Sequence, residues 1–153
     1  MIRLLAVAVL VAAAMCASAC GGGAPAGPPE IRLGIDACDG CGMVIAEMRY
    51  AGAAVADDGA MRRVLKFDDV GCLARWEAGA KGVAVRERWV HDRSTEAWID
   101  AASATYVQSG ELITPMGSGL VAFSNRLDAA ELAGSERATL SWDAILARAS
   151  EAR

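Results

Sequence analysis

The first 29 residues cannot help to build a packed core, and this confines any fold to the rest of the chain. They hold one positive charge at Arg3, an apolar run over residues 4–15, the small residues Ala17, Ser18 and Ala19, then Cys20 and the uncharged stretch GGGAPAGPP. The apolar run is shorter than the roughly 20 residues needed to cross a bilayer. Its order of charged, apolar and small regions is that of a secretory signal, over residues 1–19. Residues 20–29 are rich in Gly and Pro, carry no charge, cannot bury a core, and read as a flexible tether. The foldable part is therefore 30–153, enough for one domain or for two small halves of about 30–92 and 93–153.

A Cys placed directly after small residues and before Gly21-Gly22-Gly23 resembles a bacterial lipobox, although Ala17 stands where Leu is usual. Cys20 is therefore expected to carry a lipid anchor. The competing account is plain secretion with cleavage after Ala19. Because Gly21 is not Asp, sorting to the outer membrane is the expectation in a double-membrane host, with the protein facing the periplasm.

Composition removes several function classes. A formal net charge of −4 argues against nucleic-acid binding, which needs a basic surface. A single histidine, His91, excludes the multi-histidine zinc and copper sites. Of the 5 cysteines, Cys16 leaves with the signal and Cys20 is the anchor, so Cys38, Cys41 and Cys72 remain. An odd number of thiols in an exported chain cannot all pair internally.

The pattern along the chain mixes strands with helices. Ile31, Leu33 and Ile35 alternate with polar or small residues and predict a short strand. Residues 51–57 and 63–67 predict a hairpin around Asp58-Gly59. Asp68 or Asp69 caps a helix to about Ala80, whose Val70, Cys72, Leu73 and Trp76 share one arc. Residues 83–90 and 119–123 read as strands, while 97–102 and 105–108 are short and ambiguous. Asn125 starts a second helix to about Ala133. Ser141 caps a last one with Trp142, Ile145, Leu146 and Ala149 in a stripe. The segments Val64 to Asp69 and Leu120 to Asn125 echo each other, each an apolar strand ending in Phe before two capping residues. The echo suggests two small strand–strand–helix units.

Cys38-Asp39-Gly40-Cys41 is a C-x-x-C, with Gly42 and Met43 directly after it. The motif serves redox pairs and metal sites alike. A redox pair usually opens a helix, which Gly40 and Gly42 disfavour, and a structural zinc site needs a second pair that this chain lacks. Cys72 and His91 could complete a Cys3His set, but Cys72 lies on the apolar arc of its helix and reads as a core thiol. Thiolate and thioether ligands together favour Cu(I) over harder ions. A further methionine, Met116, sits between Pro115 and Gly117, where a turn rather than a core is expected.

Six motifs then occur in order: Cys38-x-x-Cys41-Gly42-Met43, Lys66-Phe67-Asp68-Asp69-x-Gly71-Cys72, Trp89-Val90-His91-Asp92, Trp98-Ile99-Asp100-Ala101, Ala104-x-Tyr106-Val107 and Thr114-Pro115-Met116-Gly117-x-Gly119. With the lipobox ahead of them they resemble the NosL family, nitrous oxide reductase accessory lipoproteins, over residues 31–126. That resemblance implies an α+β fold of two small ββαβ units packed together, here with a C-terminal helix added. It implies a carrier of Cu(I) rather than an enzyme, supplying nitrous oxide reductase in denitrification and working with a transporter complex resembling NosDFY. It implies copper ligands at Cys41, Met43 and Met116, with Cys38 as a further thiol. The alternative from the residues alone is a thiol-disulfide oxidoreductase using Cys38 and Cys41.

The anchor is directly testable. Mass spectrometry of the protein from native membranes is expected to show a diacylglyceryl Cys20 and no residues 1–19; a soluble, unmodified amino terminus would contradict it.

Overall fold

The computed structural model describes residues 27–59, 61–135 and 137–152. The signal, the anchor at Cys20 and most of the tether lie outside them. The element order is β1 (Gly52–Asp57), β2 (Arg62–Phe67), α1 (Val70–Gly79), β3 (Ala84–His91), β4 (Trp98–Asp100), β5 (Thr105–Gln108), β6 (Leu120–Phe123), α2 (Arg126–Ala133) and α3 (Trp142–Glu151).

β1 is the centre of an antiparallel sheet of order β2-β1-β3-β4. Its sequence, GAAVAD, has little intrinsic strand preference, but its first five residues are buried. Small side chains are needed there because α1 lies close. A Cβ on Gly52 would sit 3.2 Å from Leu73 Cδ2 and from the Trp89 carbonyl. Burial against neighbours, not backbone preference, makes this a strand. Across the hairpin, the Met61 N–H donates to Asp58 Oδ1 at 3.1 Å.

β5 and β6 pair antiparallel, and Leu140 joins the far side of β5 through a two-way bridge with Tyr106. The order β6-β5-Leu140 with α2 after β6 repeats the order β2-β1-β3 with α1 after β2. The expected pair of ββαβ units is therefore present, the second one abbreviated to a single bridging residue in its last strand. The Phe-to-cap echo marks the β2–α1 and β6–α2 junctions.

The predicted caps are the observed ones. Asp69 accepts from the Gly71 N–H, Asn125 from Leu127 and Ser141 from Ala144. α3 lays Trp142 and Ile145 into the core shared with Phe67, Leu73, Val90 and Tyr106, with Leu146 and Ala149 packed beside them. Trp142 meets Tyr106 at a ring separation of 5.7 Å, and the Tyr106 O–H donates to the Ala101 carbonyl at 2.7 Å. The ambiguous segments form β4 and β5.

One expected element is absent. Residues 31–35 form no strand, and 33–35 make a turn instead. The Asp36 carboxylate accepts from the Arg32 backbone N–H at 2.9 Å and from its guanidinium at 2.8 Å, and Gly34 adopts φ +75°. These local bonds outcompete strand pairing. Ile31 is buried, while Leu33 and Ile35 are exposed.

Asp92 staples the two units. It lies at the end of β3, forms a parallel bridge to Ala122 in β6, and its carboxylate accepts from the Ser124 N–H and O–H at 2.7 and 2.6 Å. The Ser94 and Thr95 N–H groups donate to its other oxygen. Burial alone would raise its pKa, but these donors overcome burial and hold it at about 2. Because the folded value lies below the unfolded one of about 3.9, this carboxylate stabilises the fold above pH 4. Its contribution fades as pH falls from about 4 toward 2. Asp92→Asn is expected to lower Tm by roughly 3–8 °C at pH 7. That gap should close at the acid end of a pH series of thermal melts.

Candidate metal centre

The C-x-x-C-G-M segment is a closed loop rather than a helix start. Ala37 bridges Val44, the Cys38 N–H donates to the Met43 carbonyl, and the Gly42 N–H donates to the Cys38 carbonyl, both at 2.8 Å. Gly42 takes φ +77°, which a side chain would strain. The loop is fastened to β2 by a reciprocal pair: the Asp39 N–H donates to the Lys66 carbonyl at 2.8 Å, and the Lys66 N–H to Asp39 Oδ2 at 2.7 Å. Lys66 Nζ also reaches Asp36 at 2.6 Å. That contact, with the Arg32 backbone and guanidinium, holds the Asp36 carboxyl well below the usual carboxylate range.

The Thr114-Pro115-Met116-Gly117 turn docks on the start of α1. The capping carboxylate of Asp69 uses one oxygen for the Gly71 N–H, at 2.6 Å, and the other for Thr114 Oγ1 and the Met116 N–H, at 2.7 and 3.1 Å. Close approach explains two glycines. A Cβ on Gly71 would overlap the Ser118 side chain, and one on Gly119 would overlap the Ser109 carbonyl. The Asp69-x-Gly71-Cys72 and Met116-Gly117-x-Gly119 motifs are two halves of one junction.

These two attachments bring the sulfurs to one place. The Sγ atoms of Cys38, Cys41 and Cys72 all lie within 4.8 Å of one another. Cys38 and Cys72 are buried and Cys41 is exposed; all three are free thiols. Cys41 and Cys72 line a cleft of about 540 Å³ whose walls also include Arg75, Trp76 and Met116, and Cys38 lies behind them. The Cys38 thiol is pulled down to about 5, first by a hydrogen bond from Cys72 and, against burial, by the backbone N–H groups of Asp68, Gly40 and Cys41. The same hydrogen bond, with burial, pushes the Cys72 thiol far up, and burial raises Cys41. A cluster of soft sulfur donors, partly open to solvent, suits a thiophilic cation bound at low coordination number.

The structure separates the remaining expected residues. Met116 is 37% exposed and lines the cleft. Met43 is exposed at the surface of the Cys loop and is not part of the cleft wall; its backbone carbonyl closes the loop. His91 is buried elsewhere, its ring 3.6 Å from that of Trp98 and its Nδ1 3.1 Å from the Ala51 carbonyl, so it joins no sulfur. Cys20 lies outside the described residues. Cys72 is buried, as its helical arc requires, yet its sulfur faces the Cys loop. Periodicity reports only that a residue points inward, and the capping Asp–x–Gly–Cys spacing is the one hint that it points toward the junction.

The fold is similar to that in "Crystal structure of the copper chaperone NosL from Shewanella denitrificans", with a TM-score of 0.66, 22% sequence identity, and coverage of 78% of this chain and 95% of that one. No curated protein matches the sequence significantly. The NosL family model matches residues 33–145, which takes in the Cys loop, α1, the Met116 turn and the start of α3. On that match, carried through both halves of the sulfur cleft, the chain belongs to the NosL family.

Proposed function

We propose that this protein is an exported metallochaperone, not an enzyme, that carries Cu(I) on cysteine and methionine sulfur and delivers it for assembly of a copper enzyme. The observation that carries this reading is the convergence of three free thiols within 4.8 Å of one another, two of them on the wall of a cleft that Met116 also lines. Thiolate and thioether donors match Cu(I) in softness, and no imidazole joins the cluster to favour a harder ion. In this reading Cys41 is the exposed thiolate, Met116 adds neutral sulfur from the cleft wall, and Cys38 is a further thiol; Met43, at the surface of the Cys loop, adds its sulfur only by turning toward Cys41. An exposed Cys41 lets an incoming ligand of the recipient attack the metal before the donor lets go.

Membership of the NosL family supports nitrous oxide reductase as the recipient and a NosDFY-like transporter complex as the partner. The fold's likeness to a structure titled as a copper chaperone supports the choice of metal. The lipobox at Cys20 supports a place at the periplasmic face of an envelope membrane.

The test is competition for Cu(I) between the reduced protein and a chelator. Cys41→Ser is expected to abolish tight binding. Met116→Leu keeps volume and apolarity but removes the sulfur, and is expected to weaken binding about tenfold with Tm nearly unchanged. A shifted Tm with unchanged affinity would make the turn a packing element. Wild-type protein that takes up no Cu(I) but cycles a Cys38–Cys41 disulfide would instead favour the oxidoreductase reading, for which the lowered Cys38 thiol is the supporting feature.

A further inference from the structure

One sulfur and one cation of the cleft have no part in the set Cys38, Cys41, Met43 and Met116. They are Cys72 and Arg75, one helical turn apart on the same face of α1. Cys72 is only 3% exposed, which fits a core thiol, but its surroundings do not. Its Sγ accepts a hydrogen bond from Arg75 Nη2 at 3.3 Å, and it lies on the cleft wall. Gly40 of the Cys loop sits directly above, close enough that a Cβ there would be 3.4 Å from Cys72 Cβ. The loop's two sulfurs and the helix's one are thus pressed into a triangle.

The triangle has the size of a metal site. At a metal–thiolate bond of roughly 2.3 Å, a planar three-sulfur site spaces its sulfurs about 4 Å apart. The three here lie within 4.8 Å of one another, so closure needs only a small inward movement. Three thiolates around a monovalent ion leave about two negative charges beside a buried wall, and a cation close by offsets part of that cost. Arg75 is an exposed cation whose guanidinium already touches one of the three sulfurs.

We propose that Cys72 is a copper ligand completing a three-thiolate site with Cys38 and Cys41, and that Arg75 is the positioning counter-charge of that site; this rests on the copper reading above. As each Cu–S bond forms, the thiol gives its proton to solvent. The copper stays in the +1 state and no electron moves. Met116, at the mouth, is then a weaker fourth sulfur, and the position it occupies is the one a recipient's ligand enters.

The reduced mature chain is titrated with Cu(I) against a chelator while the near-ultraviolet thiolate-to-copper absorption is recorded. Cys72→Ser is expected to weaken binding by about 100-fold or more and to reduce that absorption by about one third, since outer partners alone carry roughly 10–100-fold. Arg75→Gln is expected to weaken binding about tenfold with the absorption intact, and Arg75→Lys to restore most of the loss. Equal affinity in Cys72→Ser and wild type overturns the inference, as does weakened affinity with undiminished absorption, which would make Cys72 a packing residue. Should Cys72→Ser fail to fold, Cd(II) absorption of the wild type counts thiolates directly: three support the site and two overturn it. If wild-type protein takes up no Cu(I), the copper reading itself falls, a result distinct from equal binding by both proteins.

Discussion

The Asp69 carboxylate is the contact on which the sulfur cleft depends. Its two oxygens serve different parts of the chain. One caps α1, which carries Cys72, and the other holds Thr114 and the Met116 backbone from a turn 47 residues away in sequence. A neutral or shorter side chain could serve one of these tasks but not both. Gly71 and Gly119 are small because this junction brings two backbones together. The copper reading of Met116 therefore rests on a hydrogen-bonded cap, not on sequence proximity to the cysteines.

The Cys loop is fixed by a second, independent set of bonds. Asp39 and Lys66 exchange backbone and side-chain contacts across the end of β2, and Asp36 takes the Lys66 ammonium. Neither attachment uses a sulfur atom. The thiols are left free for a metal while the backbone beneath them is held on both sides. Such a division lets a site exchange a metal with little rearrangement of the fold, because the loop and the turn are held by oxygen and nitrogen contacts rather than by the sulfurs.

Much of this architecture is legible in the residues, for identifiable reasons. The three helices are readable because Asp69, Asn125 and Ser141 cap them through their own side chains, a local interaction visible in sequence. The repeat of strand, Phe and cap foretells the two units. Residues 31–35 mislead because alternation cannot register the Arg32–Asp36 bonds that fold them into a turn. Cys72 reads as core because the helical period reports burial but not the neighbour met there. Met43 is close to Cys41 in sequence yet exposed away from the cleft wall, whereas the distant Met116 lines it. Long-range docking decides both, and no spacing rule encodes it.

Folding gathers three thiols at one place, and the cargo proposed for them is a soft monovalent ion. X-ray absorption at the copper edge of the Cu(I)-loaded protein tests it most directly. The expected spectrum is that of a reduced copper centre whose nearest neighbours are sulfur at about 2.2–2.3 Å, with no imidazole scattering. A shell dominated by nitrogen or oxygen would contradict it.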